Sequence, residues 1–311
     1  MKSPLYRLGL MALLALVTGC SSDERAVQQQ EEHRGPSVVY AGNYPLAYFA
    51  GRIAGDSVEV VLPVPVDIDP AMWVPDAGAI AELQRADLVL LNGAGYEGWL
   101  QRVTLSRSRL VDTSTAFVDR LIPVENDVTH SHGPTGDHSH AGTAFTTWLD
   151  CEFAIEHARA VLSALVRLWP ENEGEYRARF ADLERELLEL DQALGEVSAR
   201  IGDQPLLFSH PVYQYLERRY SLKGLSLHWE PGQMPEEAQW RELSGMLSSH
   251  PAAWMIWEGT PHPEAAGRLE GLGVQSVVYR PAGNKPASGD YMSVMQDNLR
   301  ALQEAFPNSA E

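Results

Sequence analysis

Four histidines lie close together near the middle of the chain: His130, His132, His138 and His140. The residues around them are mostly Gly, Ser, Thr and Pro, which cannot bury a core, so residues 129–142 are predicted to form a loop. Neutral imidazole is a good ligand for zinc and related ions. The loop is therefore predicted to bind metal, either as the principal site or as a collecting arm, a mobile loop that captures ions for a site elsewhere. The alternative is a solvated loop that happens to be rich in His.

Further metal-ligand residue types follow apolar runs in the second half of the chain. His210 comes just after the run 205–208, and Glu258 follows the run 253–257. In open α/β sheets, ligands bind outside the carboxyl ends of the strands, so both side chains are predicted to face a cleft. His228 and Glu230 stand in a predicted loop, where an exposed acid is ordinary, and the sequence alone gives them little functional weight.

Short apolar runs alternate with helical segments in both halves. The runs cover residues 37–41, 58–62, 86–91 and 109–112, then 205–208, 253–257 and 275–279. Helices are predicted at 45–54 and 76–85. This alternation is typical of parallel sheets covered by helices on both faces. The predicted fold class is α/β, with two lobes that each contain a parallel β-sheet flanked by helices.

One long helix is predicted between the two halves. Apolar residues recur at spacings of three and four from Phe180 to Ile201, which places them on one helix face. A helix over 175–201 would be about 40 Å long at 1.5 Å per residue, enough to join two lobes as a backbone helix. A coiled-coil partner for this face is the alternative.

The N-terminus has the composition of a secretory signal. Lys2 and Arg7 precede a short apolar run from Leu8 to Val17, and the run is too short to cross a bilayer. The residues Val17-Thr18-Gly19-Cys20 resemble a bacterial lipobox. We predict a signal peptide over 1–19, lipidation of Cys20 and a flexible tether over 20–36; an ordinary signal peptide with a chance Cys is the alternative. The mature protein would be a lipid-anchored lipoprotein of the cell envelope, periplasmic or extracytoplasmic.

Charge and cysteine content exclude several classes of function. The formal net charge is −18, and it becomes −20 without Lys2 and Arg7, which argues against nucleic acid binding. After Cys20 only Cys151 remains, so neither an internal disulfide nor a Cys-rich zinc site can form, and Cys151 is predicted to be a core residue. The sequence contains no G-x-S-x-G elbow and no H-E-x-x-H motif, which favours a binding protein over an enzyme.

The chain resembles the zinc/manganese ABC-transporter substrate-binding lipoproteins (cluster A-I type) from about residue 38 to 306. The resemblance rests on 86–89 with 92–100, on the His-rich loop followed by 148–150, on 209–220, on 256–258, and on Tyr291 with Asn298. It implies an N-terminal lobe over 37–150, a helical region over 151–203 and a C-terminal lobe over 204–311. It also implies that Zn²⁺ or Mn²⁺ is the transported ligand, held between the lobes of a monomer and passed to an ABC permease and its ATPase.

Three of the family's usual ligands are missing. Asp69-Pro70 is followed by Ala71 rather than His, and the position two residues before the mid-chain Trp is Thr146. The acid expected after the last strand would fall near Arg280 and Pro281, neither of which can ligate a metal. Among the family's ligands only His210 remains.

Two explanations stay open for these losses. In the first, the site has moved, and His132, His138 or His140 reach the cleft and join His210 with Glu258 or Asp290. In the second, the cleft binds a metal chelate or another small solute and is shaped by Arg280, Trp73 and Trp229. An enzyme that uses a cleft metal as a Lewis acid and a metal-binding surface adhesin are rivals from other classes.

Overall fold

The computed structural model describes residues 37–124 and 142–308, together with the backbone of 129–131 and 137–139. The predicted signal peptide, Cys20 and the tether lie outside the described residues. From Val38 onward the chain forms one compact unit. In the described part of this unit, two four-stranded parallel sheets are present. The two parallel sheets were predicted from the sequence, whereas the fourth strand of the second sheet was not.

The first sheet is built from the N-terminal part of the unit. Its elements are β1 (Val38–Ala41), α1 (Tyr44–Ala54), β2 (Glu59–Val61), α2 (Ala77–Arg85), β3 (Leu88–Leu91) and β4 (Leu110–Asp112). The strand order is β2-β1-β3-β4. Local sequence determines where the helices begin: the Asn43 side chain accepts a hydrogen bond from the Leu46 N–H, and the Asp76 side chain accepts one from the Ala79 N–H. β3 is buried along its whole length, which explains its continuous apolar sequence.

Short antiparallel pieces interrupt the region between the sheets. They are β5 (Pro123–Val124), β6 (Thr129–Ser131), β7 (Asp137–Ser139) and β8 (Gly142–Thr143). β5 pairs with β8, and β6 pairs with β7. The predicted loop 129–142 therefore contains paired backbone segments.

Two helices connect the sheets. They are α3 (Cys151–Leu168) and α4 (Glu173–Ile201), and α4 is 29 residues long. The apolar face of α4 is buried in the core cluster that also contains residues of α1 and α3. Because this face is covered within the chain, the coiled-coil alternative is wrong. Cys151 is buried at the start of α3, as predicted, and burial raises the pKa of its thiol to about 12.

The second sheet repeats the architecture of the first. Its elements are β9 (Pro205–Phe208), α5 (Gln214–Tyr220), β10 (Lys223–Ser226), α6 (Glu237–Ser249), β11 (Trp254–Trp257), α7 (Pro263–Gly271), β12 (Gln275–Val278) and α8 (Tyr291–Ala305). The strand order is β10-β9-β11-β12. No helix in the described ranges is long and apolar enough to cross a membrane.

β10 is the strand that the sequence analysis missed. It carries little apolar sequence because it lies at the edge of its sheet. Its Gly224 packs against the Phe208 ring so closely that a Cβ would collide with the ring. The glycine is needed for close approach, although glycine usually argues against a strand.

Candidate functional site

A cleft of about 980 Å³ opens where the carboxyl ends of both sheets meet. Residues of both lobes line it, and the polar and aromatic ones are Asp67, Asp69, Trp73, Tyr96, Thr143, Phe145, Thr146, Trp148, His210, Gln214, His228, Glu230, Glu258 and Asn284. The described lining includes four acidic side chains and no Lys or Arg. Such a cleft favours a cation over an anion.

The C-terminal wall of the cleft brings two imidazoles and two carboxylates together. His210 Nδ1 lies 3.9 Å from Glu230 Oε1 and 3.9 Å from Glu258 Oε1. The His228 ring stands nearly perpendicular to the His210 ring, with 5.6 Å between the centroids. The His210 side chain is only 6% exposed, so these charges interact in a partly desolvated place.

Backbone hydrogen bonds place these four side chains. The Leu227 N–H donates to the Phe208 carbonyl and the Trp229 N–H donates to the Ser209 carbonyl, so the segment after β10 runs beside the segment after β9. The Ser209 N–H donates to the Ile256 carbonyl, which joins β9 to β11 just before Glu258. His210 and Glu258 thus meet because their strands are neighbours.

Alternation of side chains explains the position of His228 and Glu230. In an extended segment, successive side chains point to opposite sides. Trp229 is 1% exposed and packs on Trp240 and Trp257 in the core. The residues on either side of it, His228 and Glu230, consequently face the cleft.

The N-terminal wall has a different chemistry. Trp73 lies edge-on to Trp99, with centroids 5.9 Å apart, and Tyr96 lies edge-on to Trp148, with centroids 5.7 Å apart. Met72 lines the wall beside them. Thr146 donates its hydroxyl proton to the Val212 carbonyl at 2.5 Å, which links the two lobes. The wall therefore combines aromatic and apolar side chains with two acids, Asp67 and Asp69.

A buried polar network supports the N-terminal wall from beneath. Thr113 donates its hydroxyl proton to the Leu91 carbonyl, so its oxygen accepts from His157 Nδ1 at 2.6 Å. His157 Nε2 then accepts from the Thr147 hydroxyl at 2.8 Å. Burial lowers the pKa of His157 to about 3, because the protonated ring would lose its hydration. His157 is thus a neutral core residue with both nitrogens bonded.

Glu97 belongs to the same buried region. Its carboxylate accepts hydrogen bonds from the Asn92 N–H at 2.6 Å and the Gly93 N–H at 3.2 Å. Burial raises the pKa of Glu97 to about 8, against the opposing effect of these donors. Its side chain also fills the space where Gly42 would carry a Cβ. Glu97 therefore shapes the turn after β3 and does not line the cleft.

Tyr215 ties the base of the His-rich segment to the C-terminal lobe. Its hydroxyl accepts from the Ile122 N–H at 3.1 Å and donates to the Ala144 carbonyl at 2.8 Å. Val124 and Thr143, which flank residues 125–141, both line the cleft. The segment that carries the four clustered histidines therefore leaves and re-enters the described fold at the cleft.

The structure places the predicted site residues in different parts of the molecule. His210 and Glu258 come together in the cleft. His138 lies in β7, with its Cα opposite that of His130, and only its backbone is described. His132 and His140 lie outside the described residues.

Asp290 requires a correction. It is exposed at the start of α8, where its side chain accepts a hydrogen bond from the Ser293 N–H, and it does not line the cleft. The predicted shaping residues Arg280 and Trp229 do not line it either, because Arg280 is exposed and Trp229 is in the core. Of the three, Trp73 alone lines the cleft.

His228 and Glu230 have little functional weight in the sequence alone, and the structure places both in the lining of the cleft. A signal was available: a His-Trp-Glu triplet in an extended segment buries the Trp and turns both neighbours to the opposite side. No three His, Cys, Asp or Glu side chains of the described residues are already arranged to hold a metal ion.

Residues 39–305 match the family described as Zinc-uptake complex component A periplasmic, ZnuA. The match covers most of the chain. The chain belongs to the ZnuA family. The expected resemblance to zinc/manganese ABC-transporter substrate-binding lipoproteins is confirmed.

Individual relatives agree with this assignment. The zinc-binding lipoprotein AdcA of Streptococcus pneumoniae is 25% identical over 303 residues, which are 94% of this chain and 60% of AdcA. The chain thus spans less than two thirds of AdcA. The high-affinity zinc uptake system protein ZnuA of Bacillus subtilis is 23% identical over 308 residues, 96% of each chain.

The fold is also that of ZnuA-like structures. The crystal structure of Zn(II)-bound AdcA from Streptococcus pneumoniae superposes with a TM-score of 0.73 at 21% identity. The superposition covers 89% of this chain and 59% of that one. It confirms two parallel sheets joined by a long helix.

Proposed function

We propose that this protein is the substrate-binding lipoprotein of an ABC importer for a divalent metal of the zinc or manganese type. The observation that carries the proposal is the meeting of His210 with Glu230 and Glu258 in a cleft whose described lining has no basic side chain. Membership of the ZnuA family supports it, as do relatives named as zinc-binding and manganese-binding lipoproteins.

The ion would be held at His210 and Glu258, with help from the His-rich segment. Val124 and Thr143 place both ends of residues 125–141 at the cleft. His132, His138 or His140 would then act as further ligands or as a collecting arm. Asp290 is left out of this proposal because it caps α8 away from the cleft.

Capture and delivery would depend on affinity rather than on turnover. Cys20 would carry the lipid that keeps the protein at the membrane, and a permease with its ATPase would receive the ion. The ligands must be deprotonated to bind metal, so affinity should fall as the pH falls through the His range near 6.5. The protein is proposed to act as a monomeric binding protein without catalytic activity.

Metal analysis of the purified, tag-free protein tests this function. Wild type is stripped with chelator, equilibrated with Zn²⁺ or Mn²⁺, and compared with His210→Ala and with a form lacking residues 125–141. We expect about one ion per wild-type chain and a loss of at least about 100-fold in affinity for His210→Ala, more than the usual effect of changing a residue that only supports a ligand. If wild type retains neither metal, the proposed function is wrong. A metal that stays only together with an organic chelator would instead favour a chelate as cargo.

A further inference from the structure

We propose that His228 and Glu230 complete, with His210 and Glu258, a four-donor cation site carried by the C-terminal lobe alone. This inference rests on the proposed function and specifies where the ion sits. It assigns His228 and Glu230, which neither the sequence motifs nor the family resemblance singled out.

The distances are close to those that a bound ion requires. Two ligand atoms of a tetrahedral zinc ion with bonds near 2.0–2.1 Å lie roughly 3.3 Å apart. His210 Nδ1 lies 3.9 Å from a carboxylate oxygen of Glu230 and equally far from one of Glu258. Each pair must therefore close by about half an ångström, which small rotations of the two Glu side chains provide. This gap accounts for the absence of a ready-made site among the described residues.

The direction of the His228 side chain places its ring beside His210, among the proposed ligands. Trp229 is anchored in the core by Trp240 and Trp257, which fixes the outward direction of its two neighbours. The His228 ring already meets the His210 ring at 5.6 Å between centroids. The backbone hydrogen bond from the Trp229 N–H to the Ser209 carbonyl holds the segment of His228 beside that of His210.

Charge and burial favour a divalent cation here. Two carboxylates and two neutral imidazoles supply the two negative charges that neutralise such an ion. The side chains of Glu230 and Glu258 are 27% and 20% exposed, so a cation held between them would interact with both carboxylates in a partly desolvated place. The described lining of the cleft contains no Lys or Arg.

The donor set indicates which ion fits. Two nitrogen and two oxygen donors suit four-coordinate zinc, whereas manganese prefers more oxygen donors and a higher coordination number. We therefore infer that zinc binds this site more tightly than manganese. A site on one lobe would not need metal ligands at Ala71 and Thr146.

The chain offers a matched control for the experiment. His262 and Glu264 have the same types and spacing as His228 and Glu230 but lie at the start of α7, outside the cleft lining. Zinc affinity is measured by competition with a chromogenic chelator for wild type, for His228→Ala/Glu230→Gln and for His262→Ala/Glu264→Gln. Cobalt(II) absorption of the same proteins reports the coordination geometry. Circular dichroism in chelator shows whether each variant is folded.

We expect the first double variant to lose at least about 100-fold in zinc affinity and the tetrahedral cobalt spectrum, and the control to keep both. The single variant Glu230→Gln, which preserves shape, should already weaken zinc binding and keeps the test decisive if the double variant does not fold. Wild-type affinity in both Glu230→Gln and the double variant would overturn this inference and leave the proposed function standing. Absence of metal binding in the wild type would overturn both.

Discussion

The two walls of the cleft differ although they come from the same architecture. In the C-terminal wall, His210 Nδ1 lies 3.9 Å from a carboxylate oxygen of Glu230 and 3.9 Å from one of Glu258. The N-terminal wall presents Met72, aromatic rings and the acids Asp67 and Asp69. His157 is buried beneath this wall, with both ring nitrogens bonded to threonines. Two lobes with equivalent sheets thus present different walls: the described histidines of the lining lie on the C-terminal wall, and most of its aromatic rings lie on the N-terminal wall.

The largest effect is expected on the pH dependence of stability, through the buried His157. His157 has a folded-state pKa of about 3, below its unfolded value near 6.5, so between these values the unfolded chain binds the extra proton. Stability should therefore fall as the pH drops from about 6.5 towards 3, by up to about 1.4 kcal/mol per pH unit from this residue. Urea unfolding in chelator of wild type and His157→Gln, which keeps polar contacts without titrating, measures the difference. Equal slopes against pH in the two proteins would contradict the buried neutral state.

The next effect concerns Tyr215, which supplies one of the links between the lobes. Tyr215→Phe removes the hydroxyl between the Ile122 N–H and the Ala144 carbonyl, and it should lower the free energy of unfolding by about 1–3 kcal/mol. It should also speed metal release, because the ends of the segment 125–141 lose their link to the lobe with His210. Stopped-flow chelator competition measures that rate.

Tyr213→Phe is the control for this prediction. Its hydroxyl donates to the Tyr279 carbonyl at 2.7 Å, within the C-terminal lobe. It should cost a similar amount of stability without changing the rate of metal release. Faster release in both variants would mean that the effect is general loosening rather than the link between the lobes.

The smallest effect is expected at the N-terminal wall. Met72→Leu conserves volume, so the free energy of unfolding should change by less than about 1.5 kcal/mol. Zinc affinity should stay at the wild-type value, because the thioether is not among the proposed ligands. A marked fall in zinc affinity, measured by the same chelator competition, would show that the N-terminal wall also supplies a ligand.

Much of the fold could be predicted because it depends on local patterns. β9 and the apolar face of α4 follow directly from apolar spacing, and the helices predicted at 45–54 and 76–85 begin within one residue of α1 and α2. β10 could not be predicted, since an edge strand with Lys223 and Gly224 lacks an apolar pattern and exists because of its neighbour Phe208.

The candidate site was only half predictable. His210 and Glu258 could be placed at strand ends, and neighbouring parallel strands bring such ends together. Asp290 was placed wrongly because an acid near the end of a strand and an acid that caps a helix look alike in sequence. The ligand role of the clustered histidines stays a prediction, since their side chains lie outside the described residues.

By itself, the sequence determined most of the element types, the acidic character of the chain and its family resemblance, and it indicated that three usual ligands are missing. Tertiary structure alone decided which side chains meet. His228 and Glu230 become neighbours of His210 because β10 pairs with β9 and because Trp229 must be buried between them. Contacts between residues that are distant in sequence depend on sheet order and core packing, which residue spacing does not encode.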